Sequence, residues 1–550
     1  MKIQHRFIFI GLVIVGFFGP AVQAQQAYFS GTAKASIEPG SFPFSVALAG
    51  YGYPRGGRFS LEWVKREAKG RLNFSAGNKQ KWTGHAAAAL AKLEGAISLA
   101  SYKGRLFALT ANNELMRYEP KNKNGSWIKF AGFNGLSYPI HLKAIAISGG
   151  KLYGLDTNNM VFEGRHKTDG NLSVSAVAIA KGKQTIVIAG ADVCGFNHNF
   201  ISAIKQEIFR KHRIAPSAIM INASHTHFAP STQDWTTWGA HQLPDSVYLN
   251  GVVRPAIVKV IECAIRNMKP SVLAFGRGKT AIGSNRSLEG AAVPYDNDVD
   301  VLSIERIKDH HKTIVFLTGC HPVFKNEGIE GFTLSANYPG ITKALLEKEA
   351  GISDALFLQG CGGDINPVST DHVKTGKALA ADIKEILNRP MEQLTGSLTF
   401  YLDSLNFPVN RWSNERISAF RKENDNGKGD VNAEKDVRWA DLMLDLDKRK
   451  QMPVTMPVYL QTINIGNWKL VGLSREAVTD YSIGIKKIWP EKLVSVAGYC
   501  NDVSSYLPTS RHMQAGTYEG LGSFFWYGQP SVFPVDVYEK IIDKIKTQNY

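Results

Sequence analysis

Two histidines one residue apart, His225 and His227, close the segment NASHTHFAP (222–230), which directly follows the apolar run AIMI. Three further apolar runs end in polar chemistry. TIVFLTGC leads into His321-Pro322, DALFLQGCGG into Asp364-Ile365-Asn366-Pro367, and WKLVGLSR into Glu476. Imidazole and carboxylate are the usual donors of catalytic zinc, often two His and one Glu with a position left for water. Such an ion lowers the pKa of its water to about 7 and polarises a carbonyl. Residues i and i+2 of a strand face the same way. His225 and His227 are therefore expected to serve one pocket, one on the metal and one free for proton transfer. A His-x-His pair also has a bland reading, as surface residues or core hydrogen-bond donors. His310-His311 makes the contrast: it sits in the polar turn IKDHHKTI and reads as solvated.

These groups need strands to carry them. From about residue 170 onward, strand-like runs such as SVSAVAIA, TIVIAGAD, VLAFGRG and DALFLQG alternate with runs of helical spacing such as FISAIKQEIFRKH, ITKALLEKEAG and VYEKIIDKIK. That alternation predicts an α/β domain. In open α/β sheets, sites form outside the carboxyl ends of the strands, so four such ends predict one shared site. Residues 104–113 (GRLFALTANN) and 150–159 (GKLYGLDTNN) align without gaps at an offset of 46. A period of that size with several strands per unit suits propeller blades, although a closed propeller needs about four. The segment 54–170 therefore reads as a β-rich insertion with two repeats, set between 25–53 and 171–550 of one catalytic domain. It could bind a glycan, rim the site or cover one face.

Bulk properties narrow the function classes. MKIQHRFIFIGLVIVGFFGPAVQA has a basic start, an apolar stretch from Phe7 to Phe18, and the small-x-small end Val22-Gln23-Ala24. It reads as a secretory signal peptide over 1–24, which makes the protein secreted or periplasmic. No later run approaches the roughly 18–20 apolar residues of a spanning helix. The five cysteines, at 194, 263, 320, 361 and 500, have no zinc-finger spacing. Cys320 and Cys361 both follow a glycine at a strand end, so a disulfide and two buried thiols are both open. The net charge of +16 comes from scattered residues without a nucleic-acid motif, so no nucleic-acid partner is expected. Acidic glycans, anionic lipids and an ordinary solvated surface all suit it.

With these residues placed, the chain resembles the neutral/alkaline (non-lysosomal) ceramidase family, zinc-dependent amidases that cleave the N-acyl bond of ceramide. The resemblance covers about residues 30–50 and 170–550. NASHTHFAP is similar to the family's T-H-T-H-S-G-P, implying His225 as zinc ligand and His227 as acid/base. SNRS (284–287) is similar to N-R-S, implying Arg286 at the reacting carbonyl. GCHPV implies His321 as second histidine ligand, and LSREAVTDY implies Glu476 as third. GYCNDVSSYLPT resembles N-x-Y-x-x-Y-[VI]-T-T and implies Tyr506 at the zinc; TYEG implies Tyr518 at the substrate oxyanion. The resemblance thus implies Zn2+ as cofactor and a ceramidase-type α/β catalytic domain; the substrate is expected to be a lipid or glycan small molecule, and a peripheral association with membranes is open. An imidazole, a guanidinium and a phenol beside a polarised carbonyl also make sense as a proton shuttle and an oxyanion site. Read singly, Arg286 could be an ion-pair residue, and Tyr506 and Tyr518 core tyrosines. The departures are specific. Asn366 of GGDINPV stands where the family has serine, Val503 replaces the first tyrosine of its motif, the family's C-terminal immunoglobulin-like domain is not expected, and the 54–170 segment is foreign to ceramidases.

The expectation is an exported zinc hydrolase that attacks an amide or related acyl bond with zinc-activated water. Two other readings stand beside it: a carbohydrate-active hydrolase acting on glycans or N-acyl sugars, and a non-catalytic glycan-binding protein on a retained metal scaffold.

Overall fold

A computed structural model of the chain describes residues 28–40, 61–66, 72–74, 93–102, 105–119, 126–131, 141–239, 243–290, 293–325, 333–427 and 430–547. The expected signal peptide lies outside the described residues. The architecture is mixed α/β. The runs read as strands from 170 onward are strands, and the helical runs are helices. Nine strands form the largest sheet, in the order 219–223, 184–191, 173–181, 28–36, 269–279, 298–306, 312–318 and 352–359, with 392–394 paired to 269–279. Ile186, Val187, Ile188 and Ala189 are fully buried in succession, as expected of a strand covered on both faces. The helix Arg254–Arg266 packs on one face through Ile257, Val260, Ile261 and Ala264, the i, i+3, i+4, i+7 spacing of a helix stripe.

The two ends of this sheet come back together. A Cβ on Gly190 would lie 2.5 Å from the carbonyl oxygen of Phe357, so only glycine fits between those strands. Asn222, fully buried, stitches the seam. Its Nδ2 donates to the carbonyls of Gln359 (3.2 Å) and Gly498 (2.7 Å), and its Oδ1 accepts from the Gln359 amide (2.8 Å). Gly498 follows the strand Leu493–Ala497 of a second, four-stranded sheet ordered 398–408, 455–465, 468–473, 493–497. The first residue of NASHTHFAP thus ties the strand that leads to His225 to the strand that leads to Asp364 and to the chain that follows Leu493–Ala497.

The repeat aligned by sequence also has a repeated structure. Two four-stranded antiparallel sheets lie in this region: 96–102, 105–110, 115–119, 126–131, and 142–148, 151–156, 161–166, closed by 61–65. The turns after 105–110 and 151–156 match. Thr110 Oγ1 accepts from the Glu114 amide and Asp156 Oδ1 from the Met160 amide, while Asn113 and Asn159 both take left-handed backbone (φ 62° and 63°). Phe107, Leu109, Leu115, Leu142, Ile145 and Leu152 bring the sheets together in one small core. Arg105 and Arg117 pair with the buried carboxylate of Asp245 at 2.5 and 3.1 Å, anchoring the first sheet beside the chain that follows His227.

All five cysteines are free thiols. Cys320 and Cys361 are buried, and the disulfide between them does not form.

The helix His198–His212 buries Lys205 along with Ile201, Ile204 and Ile208. Burial presses its ammonium down to about 7. An unfolded chain keeps that proton to about pH 10.4, so stability climbs between about pH 7 and 10. Lys205→Met is expected to raise stability by ~2–4 kcal/mol at pH 7 and by far less at pH 10. Urea unfolding at both pH values measures it, and an equal change at the two would contradict the burial account.

Candidate metal centre and active site

The strand Ile219–Ala223 stops two residues before His225. His225 takes left-handed backbone, φ 63°, which is uncommon for a residue with a Cβ. The His-x-His pair therefore does not continue the strand, contrary to the strand-face expectation. The turn, not strand alternation, brings the rings together, with His227 Nε2 3.2 Å from His225 Nε2. His225 Nδ1 lies 2.6 Å from the carbonyl oxygen of Cys194. His321 Nδ1 lies 2.5 Å from that of Gly362. A carbonyl only accepts, so both Nδ1 atoms carry a proton, and both Nε2 atoms are turned toward the Glu476 carboxylate. This is the outer-shell arrangement that fixes the tautomer of a metal-binding histidine.

Glu476 completes the group. It follows Arg475, itself left-handed at φ 72°, and heads the two-residue strand Glu476–Ala477, which pairs in parallel with Tyr506–Leu507. Glu476 Oε2 lies 3.0 Å from His225 Nε2 and 3.1 Å from His321 Nε2. The three side chains are at most 1% exposed, and their donor atoms lie within 4.8 Å of one another. Two imidazole nitrogens and a carboxylate converging in a buried place need positive charge to balance the carboxylate, supplied by imidazolium or by a bound cation. The donor set therefore fits a zinc ion. Burial alone would push the Glu476 carboxyl up, but His225 and His321 outweigh it and hold it well below the usual carboxylate range.

Around this group stand the other residues expected from the sequence. His227 is held well below the usual imidazole range, first by burial and then by His225 and His321. Arg286 is the hub of the opposite wall. Its Nε donates to Glu519 Oε1 (3.0 Å), its Nη1 to Asn366 Oδ1 (3.0 Å), and its Nη2 to the Gly363 carbonyl (2.9 Å) and the Tyr506 hydroxyl (3.0 Å). Four of its five N–H donors are thus engaged, and one on Nη1 is left. Tyr506 places its hydroxyl 3.5 Å from His321 Nε2. Asn366 reaches Arg286 because Ile365–Pro367 pairs with Gly283–Asn285, Ser284 opposite Asn366. Tyr518 sets its ring 5.4 Å from that of Tyr506 and is 43% exposed, which puts it at the rim. The loop between Gly360 and Ile365 packs so tightly that a Cβ on Gly363 would lie 2.8 Å from the Glu476 carbonyl oxygen.

Sequence reasoning missed several neighbours. Tyr527 donates its hydroxyl to Glu476 Oε1, on the side away from the histidines. Glu519 holds Arg286. Tyr499 packs against His225, rings 4.5 Å apart. Trp235, eight residues beyond His227, stacks near Tyr527 at 4.9 Å and meets Trp238 edge-on. Glu519 adjoins a motif tyrosine and so carried a faint signal; Tyr527 in SFFWYG looked like any core aromatic.

Among solved structures, the chain is similar to neutral ceramidase from Pseudomonas aeruginosa, with a TM-score of 0.59 over 95% of this chain and 74% of that one, at 15% sequence identity. The fold is that of neutral ceramidase. A ceramidase complexed with C2 is similar to the same extent of both chains, with a TM-score of 0.56 and 14% identity. No protein-family model and no curated protein sequence matches the chain. On this fold His225, His321 and Glu476 meet directly, His227 and Tyr506 adjoin them, Arg286 joins Tyr506 to Asn366, and Tyr518 lies at the rim. Among the described residues, no helix is long and apolar enough to cross a membrane.

Proposed function

We propose that the protein is an exported zinc-dependent hydrolase that cleaves an N-acyl (amide) bond in a lipid-like substrate, with 54–170 as a unit inserted in the catalytic domain. The convergence of His225 Nε2, His321 Nε2 and Glu476 Oε2, beside an uncharged His227, supports this reading most. His225, His321 and Glu476 would hold the ion, with the Tyr506 hydroxyl next to them. Bound zinc supplies Lewis acidity and a water of lowered pKa. His227 takes the proton of the attacking water and returns it to the leaving amine. Arg286 offers its remaining Nη1 donor to the carbonyl oxygen as negative charge develops there, with Tyr518 at the rim. Asn366, Glu519 and Gly363 keep the guanidinium from turning away. The exposed apolar side chains of Tyr518 and Leu521, on the turn Tyr518–Gly522, suit an acyl or sphingoid chain. The two similar structures are ceramidases, so a ceramide-like amide is the first substrate to test. Purified protein is expected to release fatty acid from short-chain ceramide, and chelator to stop it. Turnover confined to N-acyl sugars or aryl glycosides, or unaffected by chelator, would sink this reading.

The reaction is expected to form no acyl-enzyme. Asn366 has no nucleophilic atom at neutral pH, and its oxygen is engaged with Arg286. A single turnover in ¹⁸O-water should label the released acid and leave the enzyme mass unchanged. An acyl adduct in the quenched protein would contradict it.

A further inference from the structure

We infer a second divalent-cation site, formed by Asp364, Asp480 and His512 behind the wall that carries His321 and Arg286. The three residues come from separate elements: the loop after the strand Ile352–Gln359, the first turn of the helix Thr479–Lys486, and the helix Ser510–Gln514. Their donor atoms lie within 4.8 Å of one another. Asp364 and His512 are fully buried. Asp480 is half-buried.

Two buried atoms of these residues have no hydrogen-bond partner: His512 Nε2, which faces Asp364, and Asp480 Oδ2. His512 Nε2 lies 3.4 Å from Asp364 Oδ2, outside hydrogen-bond geometry. A fully buried imidazole nitrogen left unpaired costs about 1–3 kcal/mol, and two adjacent carboxylates away from water cost more. Arg511, itself partly exposed, lies 3.8 Å from Asp480 Oδ1. Burial and the neighbouring Asp364 carboxylate accordingly raise the Asp480 carboxyl. A divalent cation would satisfy all three donors at once.

The donors are also oriented as ligands are. His512 Nδ1 is 3.0 Å from Thr509 Oγ1, which leaves Nε2 for the cluster. Asp364 Oδ1 accepts from the Thr479 amide at 2.8 Å and its Oδ2 from Asn285 Nδ2 at 2.7 Å. Such outer contacts fix ligand direction in metal sites. One nitrogen and two carboxylates form a donor set suited to zinc and its neighbours in the first transition row.

The position gives the ion a task. Asp364 belongs to the turn whose other groups build the active site. Gly362 and Ile365 accept from His321 Nδ1, and the carbonyl of Asp364 accepts from the Arg286 amide at 2.8 Å. A cation on the Asp364 carboxylate would brace this turn from behind and reach no substrate.

The test uses full-length protein stripped with chelator, reloaded with Zn2+, desalted and analysed for metal per chain. Wild type is expected to hold two equivalents, and His512→Ala and Asp480→Asn one each, with the anomalous zinc signal at Asp364 gone in crystals of either. The conservative Asp480→Asn keeps the test decisive if His512→Ala fails to fold. One equivalent in wild type that disappears in Glu476→Gln, or two equivalents in both cluster variants, would overturn the second site. One equivalent lost in His512→Ala but kept in Glu476→Gln would support it and instead remove the proposed catalytic zinc.

Discussion

Glu476→Gln is expected to cost the protein its catalytic zinc and to lower turnover by roughly 10³-fold or more, the scale on which metal-assisted hydrolysis depends on its ion. The carboxylate is the negative member of the group, and both histidine Nε2 atoms face its Oε2. An amide of the same shape keeps the packing, including the contact with Tyr527, but loses the charge that balances a dication. His321→Ala is expected to do the same by removing a nitrogen donor. Tyr527→Phe should have a smaller effect, about 10–100-fold in zinc affinity, the usual cost of losing a group that orients a ligand. Metal analysis beside turnover separates these variants. Unchanged zinc in both Glu476→Gln and His321→Ala would end the assignment of the centre.

Much of this site was legible because its residues sit where strands stop. An apolar run ending in His, Asp or Glu is conspicuous, and the rule that sites form at carboxyl ends of strands placed His321 and Glu476 together; Asp364, expected with them, turns its carboxylate to the Thr479 amide and His512 instead. The two repeats were legible for a different reason: both turns carry Asn-Asn, whose second residue, Asn113 or Asn159, takes the left-handed backbone the turn requires. What failed to show was geometry fixed by distant contacts. The left-handed backbone of His225 depends on the Val193 and Cys194 carbonyls, which lie about thirty residues earlier in the chain. Tyr527 meets Glu476 only because Trp235 and its neighbours hold the C-terminal aromatic segment against the site. The helices Asn414–Asn424 and Val431–Lys448 also escaped the reading. The first buries only Ile417 among its fully buried positions, so it has little apolar stripe to read.

His227→Ala is expected to leave the zinc content unchanged and to lower turnover by roughly 10²–10⁴-fold, the range for losing a general acid–base group. The imidazole lies too near the metal group to be a bystander, with Nε2 3.2 Å from His225 Nε2 and its ring centroid 5.9 Å from that of His321. It is nonetheless not one of the three residues whose donors close around a single point with the Glu476 carboxylate. Its burial and its cationic neighbours keep it uncharged at neutral pH, so it can accept a proton, and the same field helps it give the proton up to a departing amine. A purely structural role would predict something else: lost zinc, a raised KM, or a fall in stability, with kcat spared. The proton-shuttle role predicts a fall in kcat at full zinc occupancy, and partial recovery when free imidazole fills the space left by the ring. His227→Gln, which keeps polarity and bulk without a titrating nitrogen, should be as slow as His227→Ala. Full activity in His227→Gln would show that the ring positions water and moves no proton.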